Sequence, residues 1–463
     1  MDADLPLKPI YQRGEIMRMH RVLLGAFWLS LLAVALTGCN SGKGVTDPAI
    51  QFAMLRIVNL IPDAGGPINV TLDGNTFVSG LNFEALTQYQ QIDSGTRAIQ
   101  VSVAGGASNI ISTSLSFTGI TNYTLVIYGP AGEATSLLVS DACPSSAQAI
   151  CSDPGAGNFN LRVINAATSG AGVDVYVTAP GANLDAAAPN FAGVSVGTTS
   201  TFSILAAGNL EIRVTSSGTK EVIYDSVPQS FSERSLVEAV VYTRTSSKLV
   251  GVSLLNNDST GTSITSPNLL SQFKVINGSS VPSPINVFVN QNLLLSNIPF
   301  GGASSYQKTA TGSPTVSVEA TATPGAALLT LMPALGPGTD SSILLTGPSG
   351  ALKALVLSDN NLPPVPLRAR VRLVNGTTDI SALDVYVNFS KLVSGLAMNA
   401  AVAGLEFNAD PVAGTSYEFD FNVAGTTQSS LKLPGVALFG GKTYTIYVVG
   451  PQAALSGIFT GDN

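Results

Sequence analysis

Short runs of alternating apolar and polar residues recur along this chain, and most are bounded by Gly, Pro, Ser or Asn. In residues 173–177 (VDVYV), the valines fall on one side of an extended chain, whereas Asp174 and Tyr176 fall on the other. This alternation has the period of a half-buried β-strand. The pattern therefore predicts an all-β protein made of short strands and tight turns.

One set of strands occurs four times, in copies that begin at residues 55, 161, 273 and 371. Each copy opens with a strand that ends in Val-Asn or Ile-Asn, continues through central strands, and closes with a hairpin. A unit of about a hundred residues can bury its own core, whereas solenoid repeats have periods of about 20 to 50 residues. With about seven strands per copy, the pattern predicts four tandem antiparallel, immunoglobulin-like β-sandwich domains.

Polar, turn-rich segments separate the predicted domains. The third link contains three prolines and should be stiff, because proline restricts the backbone, whereas the first two links are expected to flex. The predicted domain bounds are 53–142, 159–257, 272–360 and 368–463.

The N-terminus has the features of an export signal. Arg18 and Arg21 precede an apolar run, residues 22–36, which is followed by small residues. Such a run is typical of a signal peptide and is too short for a stable membrane span. Residues 1–38 are therefore predicted to be a signal peptide, in which residues 1–16 are an extension upstream of a true start at Met17 or Met19.

The sequence Leu-Thr-Gly-Cys at residues 36–39 resembles a bacterial lipobox. This resemblance implies cleavage before Cys39, acylation of that cysteine, and a lipidated tether over residues 39–52. Two or three acyl chains hold a protein durably at a membrane. Because Asn40 is not the aspartate associated with inner-membrane retention, we expect an outer-membrane lipoprotein of the cell envelope, with surface exposure left open. A plain secretory signal and a buried apolar helix are the alternatives.

The composition argues against several kinds of chemistry. His20 and Trp28 are the only histidine and tryptophan, and both lie in the predicted signal peptide. Without histidine the processed chain has no Ser/His/Asp or Cys/His pair and no imidazole metal ligand. A formal net charge of -7 disfavours binding to nucleic acid. We therefore expect a non-enzymatic protein with no cofactor, no metal and no nucleic-acid partner.

If Cys39 is acylated, two cysteines remain. Cys143 and Cys151 lie close together in residues 142–151 (ACPSSAQAIC), and an exported compartment permits a disulfide between them. We expect a local clip that contributes little stability, because the closed loop is short. A metal site is the alternative, although two thiols without histidine do not complete a tetrahedral zinc shell.

Two polar positions recur in every copy. They form either a calcium or polar-ligand site, or a structural device in which the Asn caps the strand-end turn and the acid lies on the solvent face. We favour the structural interpretation because two of the four partner positions are neutral and no D-x-D-x-D-G loop occurs. The recurring residues are Asn59, Asn165, Asn277 and Asn375, each followed nine or ten residues later by Asn69, Asp174, Asn286 or Asp384.

Two sets of aromatic residues also recur. Tyr176, Phe288 and Tyr386 are predicted to face outwards, where they would stack on a sugar ring or, more usually, pair across strands. The second set precedes the central strand of each copy and is predicted to lie in the core: Tyr89, Phe202, Tyr306 and Tyr417. Glu418 and Asp420 are paired carboxylates of the kind that glycosidases use, but no second feature supports a cleft around them.

The strand ending in V-N or I-N, a loop, D-V-Y-V and a later Y-T-x-x-V-x-G-type strand together resemble the bacterial family called domain of unknown function 4397, found in exported and surface proteins. All four copies match; copy one keeps I-P-D-A at residues 61–64, and none keeps the histidine that many members have. The resemblance implies fold and placement and no particular activity.

These features predict a lipid-anchored cell-envelope protein whose four sandwiches form an extended arm for adhesion or for binding a glycan or protein. Its partners would be the membrane, through the acylated cysteine, and that glycan or protein ligand. The alternatives are a periplasm-facing structural subunit of an outer-membrane assembly and a carbohydrate-active hydrolase that uses carboxylates alone.

Overall fold

The computed structural model describes residues 51–141, 153–168, 170, 172–257 and 263–463. Gln51–Asn463 forms one compact unit. Nearly all of its regular structure is β-strand, arranged in eight sheets that form four pairs. Within the described residues, no helix is long and apolar enough to cross a membrane. The prediction of tandem β-sandwiches is therefore confirmed.

Repeat 1 shows the plan that repeats 3 and 4 share. Its strands are β1 (Phe52–Leu60), β2 (Ile68–Leu72), β3 (Asn75–Leu81), β4 (Gln90–Asp93), β5 (Gly95–Val103), β6 (Asn109–Phe117), β7 (Asn122–Tyr128) and β8 (Thr135–Ser140). One sheet has the order β4-β1-β7-β8, and the other has the order β3-β2-β5-β6. The two-residue turn between β2 and β3 is formed by Asp73 and Gly74, both at positive φ, as expected for a tight hairpin.

Repeat 2 has the same plan with more, shorter strands. They are β9 (Asn158–Ala166), β10 (Val173–Thr178), β11 (Phe191–Val194), β12 (Thr198–Thr199), β13 (Ser203–Ala206), β14 (Gly208–Ser216), β15 (Val222–Asp225), β16 (Gln229–Phe231), β17 (Leu236–Thr243), β18 (Val250–Asn256) and β19 (Ser263–Ser266). The sheets have the orders β12-β9-β17-β18-β19 and β11-β10-β14-β15, with β13 and β16 paired alongside β9 and β14. The segment predicted as a flexible second link thus contains a strand, β19, paired with β18.

Repeats 3 and 4 return to eight strands each. Repeat 3 consists of β20 (Leu270–Ser279), β21 (Ile285–Val289), β22 (Asn292–Ile298), β23 (Gln307–Ala310), β24 (Val316–Ala320), β25 (Ala327–Leu331), β26 (Asp340–Gly347) and β27 (Lys353–Asp359). Repeat 4 consists of β28 (Arg368–Thr377), β29 (Ala382–Val387), β30 (Ser390–Ala397), β31 (Ala400–Asn408), β32 (Thr415–Val423), β33 (Ser429–Leu438), β34 (Thr443–Gly450) and β35 (Ser456–Gly461). The expected seven strands per copy is therefore an underestimate.

One sheet of every repeat is mixed. The opening strand runs parallel to the first strand of the closing hairpin, as in β1 with β7 and β28 with β34. The strand order also differs from the ABED and CFG sheets of an immunoglobulin domain. The purely antiparallel, immunoglobulin-like arrangement is therefore wrong in detail. Alternation of side chains shows which residues share a face, but it does not show which strands are neighbours.

Each sandwich has its own apolar core between its two sheets. In repeat 1, Leu55 and Ile57 of β1 pack with Val70 of β2, Val101 of β5 and Leu125 of β7. The other three repeats have separate cores of the same kind. The mixed sheet, however, is buried on both faces, and its outer face positions the candidate site.

Candidate functional site

The recurring asparagine joins the two sheets of its own sandwich. In repeat 1 the side-chain amide of Asn59 donates to the carbonyl oxygen of Leu81 in the opposite sheet at 3.0 Å, and its oxygen accepts from the amide of Ile61 at 3.1 Å. The prediction that this side chain caps the strand-end turn is confirmed. All four asparagines are fully buried and make the same two bonds: Asn59, Asn165, Asn277 and Asn375.

The recurring acid or amide holds the neighbouring edge strand. Its side-chain oxygen accepts a backbone N–H from a residue at positive φ, as Asp384 does from Gly395 at 2.9 Å. The same bond occurs at Asn69, Asp174 and Asn286. Asp384 also accepts from Lys391 at 2.8 Å and from Gly425, and these bonds lower its pKa to about 2.

The solvent-face placement predicted for these acids is wrong. Asp174 is 6% exposed and Asp384 is 2% exposed, because the bulged edge strand closes over each carboxylate. Both recurring polar positions therefore have structural roles in the described part of the chain.

The repeats pack against each other in pairs through the outer faces of their mixed sheets. Val58 and Leu60 of repeat 1 lie in one buried apolar cluster with Ile164, Val240 and Tyr242 of repeat 2. Repeats 3 and 4 form the matching contact through Ile276, Leu344, Val374, Tyr447 and Val449, among others. The expected arm of separate sandwiches is therefore replaced, within each pair, by two sandwiches joined face to face.

A buried ionic cluster crosses the contact between repeats 1 and 2. Glu238 on β17 accepts from Arg56 on β1 at 3.0 Å and from Arg162 on β9 at 2.8 Å. Arg162 also donates to Asp141, which directly follows β8, at 2.8 Å. Thr124 donates to the same carboxylate at 2.9 Å. The side chains of Arg56 and Glu238 are 0% exposed, so two cations and two anions are balanced inside the interface.

The contact between repeats 3 and 4 also buries two cations and two anions, in two separate ion pairs. Arg372 of repeat 4 donates to Asp359 of repeat 3 at 2.6 Å. Lys274 of repeat 3 forms a close ion pair with Asp462 of repeat 4. In both repeats, the basic residue of the opening strand therefore pairs with the acid at the end of the last strand of the other repeat. We call these acids the closing acids.

These charges were missed by the sequence interpretation, although the four copies contain the signal. A basic residue precedes the recurring asparagine by three positions in each copy: Arg56, Arg162, Lys274 and Arg372. The closing acid recurs as Asp141, Asp359 and Asp462, whereas the same backbone position in repeat 2 is Asn257. In repeat 2 the missing acid is supplied by Glu238, where the other repeats have Thr or Ser. Aligning the copies would have shown this exchange.

Burial shapes the protonation of this cluster. Desolvation and the neighbouring charge of Glu238 raise the pKa of Asp141 to about 7, against the opposing effect of Arg56 and Arg162. The hydroxyl of Tyr89 donates to Asp141 at 2.6 Å, and burial raises the pKa of that hydroxyl well above its usual value. Proton binding at Asp141 is therefore linked to the state of the interface.

Three of the four aromatic residues in the second set do not lie in the sandwich cores as predicted. Tyr89, Phe202 and Tyr306 lie over the interfacial cations. They point outwards because the residues directly after them pair with inward-facing residues of the opening strand. Tyr417 belongs to a different strand, β32, and packs against the core of repeat 4.

The remaining candidates in the described part of the chain are the outward-facing aromatic residues and the paired carboxylates. Tyr176 is 1% exposed beneath Lys220, so its ring is not available to a sugar, whereas Phe288 and Tyr386 are half-buried. Lys432 lies between the paired carboxylates, 3.0 Å from Glu418 and 3.9 Å from Asp420.

Cys39, Cys143 and Cys151 lie outside the described residues, so acylation and the disulfide stay predictions.

The family model named Domain of unknown function (DUF4397) matches residues 53–151 and 271–386, which confirms the resemblance and is consistent with repeats of that domain. Among solved structures, the Bacillus anthracis TIE protein matches with 10% identity and a TM-score of 0.14, covering 89% of this chain and 75% of that one. A search of curated proteins found no match.

Proposed function

We propose that this chain, a multidomain β protein containing repeats of the DUF4397 domain, is a non-enzymatic lipid-anchored protein of the bacterial cell envelope. In this proposal Cys39 carries the acyl chains, and the sandwiches present a surface that binds a glycan or a protein. Adhesion is the role we favour, and the outer membrane is the favoured location.

The observation that carries the proposal is the use of the recurring polar side chains. The asparagines join sheets, the acids hold edge strands, and the buried cations join repeats in pairs. These repeated contacts therefore hold each sandwich together and join the sandwiches in pairs. A body that is ordered before binding loses less conformational entropy when it captures a partner.

The anchor rests on the sequence at residues 36–39 and is tested by fractionation. Cys39→Ala should release the protein from the membrane fraction, because two or three acyl chains provide the durable attachment. The double substitution Cys143→Ala/Cys151→Ala is the matched control, since it also removes cysteines but leaves the lipobox intact. Unchanged membrane retention of Cys39→Ala would refute the anchor.

The location and the binding role need separate measurements. On intact cells, protease should cleave a site inserted between residues 144 and 150 if the array is surface-exposed, with a periplasmic protein as the protection control. Complete protection until the outer membrane is opened would instead favour the periplasm-facing structural subunit. Turnover of a glycan that is lost in Glu418→Gln would contradict the non-enzymatic assignment.

A further inference from the structure

An aromatic ring covers the interfacial cation in three of the four repeats. Each ring lies at the distance of a cation–π contact, for which about 6 Å from the ring centre is the usual limit. The separations are 4.7 Å for Tyr89 and Arg56, 4.6 Å for Phe202 and Arg162, and 5.1 Å for Tyr306 and Lys274.

The backbone register identifies the equivalent position in repeat 4. In repeat 3, Gln307 pairs with Phe273, and the ring belongs to the residue before Gln307. In repeat 4, Leu405 pairs with Val371, so the residue at the position of the ring is Gly404. Repeat 4 therefore has the cation, Arg372, without the aromatic residue that would cover it.

A cavity of about 470 Å³ lies at this position. Gly404, Arg372 and Asp462 line it, together with Thr443 and the exposed Glu406. Gly404 has a φ of +74°, and a Cβ atom added to it would have no atom within 4 Å, so the space beside the glycine is open although its backbone disfavours a side chain. The volume falls within the range of about 300 to 1,000 Å³ that is usual for small-molecule sites.

The other repeats show which chemistry such a cavity accepts. The hydroxyl of Tyr89 donates to the closing acid of its repeat, Asp141, at 2.6 Å, and Tyr306 donates to Asp359 at 2.6 Å. Asp462 is the closing acid of repeat 4 and lines the cavity. A phenolic ring in the cavity would place its face on Arg372 and its hydroxyl near a carboxylate, as the internal tyrosines do.

We propose that the cavity beside Gly404 binds a phenolic ring supplied by a ligand. The ligand is either a free phenolic compound or a tyrosine side chain of a bound protein segment. This inference rests on the proposed binding role and gives that role a site. Its failure is distinguishable from failure of the proposed function, because membrane retention of Cys39→Ala and protease accessibility do not depend on the cavity.

The first probe is p-cresol, which corresponds to the side chain of tyrosine without its backbone. Binding to the full chain is followed by the broadening of ligand NMR signals. The triple substitution Val402→Ser/Ala403→Ser/Gly404→Tyr transplants residues 304–306 of repeat 3 into repeat 4 and should abolish saturable binding. Because a tyrosine is strained at the positive φ of Gly404, Tm should not rise above that of the unmodified chain. The matched control, Val402→Ser/Ala403→Ser, keeps Gly404 and should still bind.

A second variant decides the matter if the transplant does not fold. Tyr306→Gly opens the equivalent space in repeat 3 and should raise the number of p-cresol sites from one to two, while p-cresol restores part of the lost Tm. No saturable binding to the unmodified chain, or undiminished binding to a folded transplant, would overturn the proposal. Tighter binding of N-acetyl-L-tyrosinamide than of p-cresol would identify a protein tyrosine as the ligand, and the reverse would identify a free phenol.

Discussion

In repeat 2, Glu238 supplies the carboxylate that the closing acid supplies in the other repeats, and this difference leads to a specific prediction. Glu238→Thr places in repeat 2 the residue that repeats 1 and 4 have at that position. It removes the carboxylate that accepts from Arg56 and Arg162, and it leaves the fully buried Arg56 without its ion pair. Removing one partner of a buried pair costs about 3 to 5 kcal/mol, so we expect a loss of that size in the free energy of unfolding.

A second substitution should recover much of this loss. Asn257 occupies the position of the closing acids, and the carbonyl of its neighbour Asn256 already accepts from Arg56 at 2.7 Å. Asn257→Asp in the Glu238→Thr background would recreate the exchange between repeats 3 and 4. We expect a coupling of about 2 to 3 kcal/mol between the two substitutions, at the upper end for contacting residues. Alone, Asn257→Asp should destabilise the interface, because it adds a third acid to two cations.

The measurement is urea unfolding followed by circular dichroism, with hydrogen exchange of the β1 and β17 peptides to locate the effect. Glu133→Thr makes the same change at an exposed position and should alter stability by less than about 0.5 kcal/mol. A loss below about 1 kcal/mol for Glu238→Thr would refute the assigned role of this cluster. A double variant no more stable than Glu238→Thr would refute the equivalence of the two repeat pairs.

Two further outcomes follow from the structure. Asn375→Ala leaves the Leu396 carbonyl and the Thr377 amide buried without partners, so it should cost about 2 to 4 kcal/mol in urea unfolding; a loss below about 1 kcal/mol would contradict the sheet-bridging role. The folded pKa of Asp141, about 7, exceeds its ordinary value of 3.8, so the folded state binds more protons and stability should fall as pH rises from about 4 to about 7. Asp141→Asn should reduce this slope, and adding Asp225→Asn, whose carboxyl has a pKa raised to about 7 by burial and Glu211, should reduce it further; an unchanged slope in the double variant would show that other groups cause it.

Much of the fold could be read from residue patterns. The alternation of apolar and polar residues in 96–103 and 314–320 predicts strands that the structure has as β5 and β24. The structural role of the recurring asparagine also follows from its position at a strand end, because its short amide reaches the backbone two residues on. These features depend on neighbours in the chain, and local geometry is enough to determine them.

The sequence contains a weaker signal for the packing of the sandwiches in pairs. The closing strand β17 (LVEAVVYT) is a nearly continuous apolar run, a composition typical of strands that are buried on both faces, whereas the opening strand β9 (NFNLRVINA) alternates over most of its length. A strand with one wet face would alternate instead. The apolar composition of the closing strand therefore indicated that the outer face of its sheet is covered, but it did not indicate which part of the protein covers it.

The sequence by itself determined four β-sandwich units, most of their strands and the turns held by the recurring asparagine, because each depends on the period of a strand and the reach of a short side chain. Only the tertiary structure decided that the sandwiches pair face to face, that Arg56 meets Glu238 across the contact, and that an open cavity lies beside Gly404. Those features join residues far apart in the chain, and their partners are selected by how whole sheets pack and by the need to neutralise every charge that the packing buries.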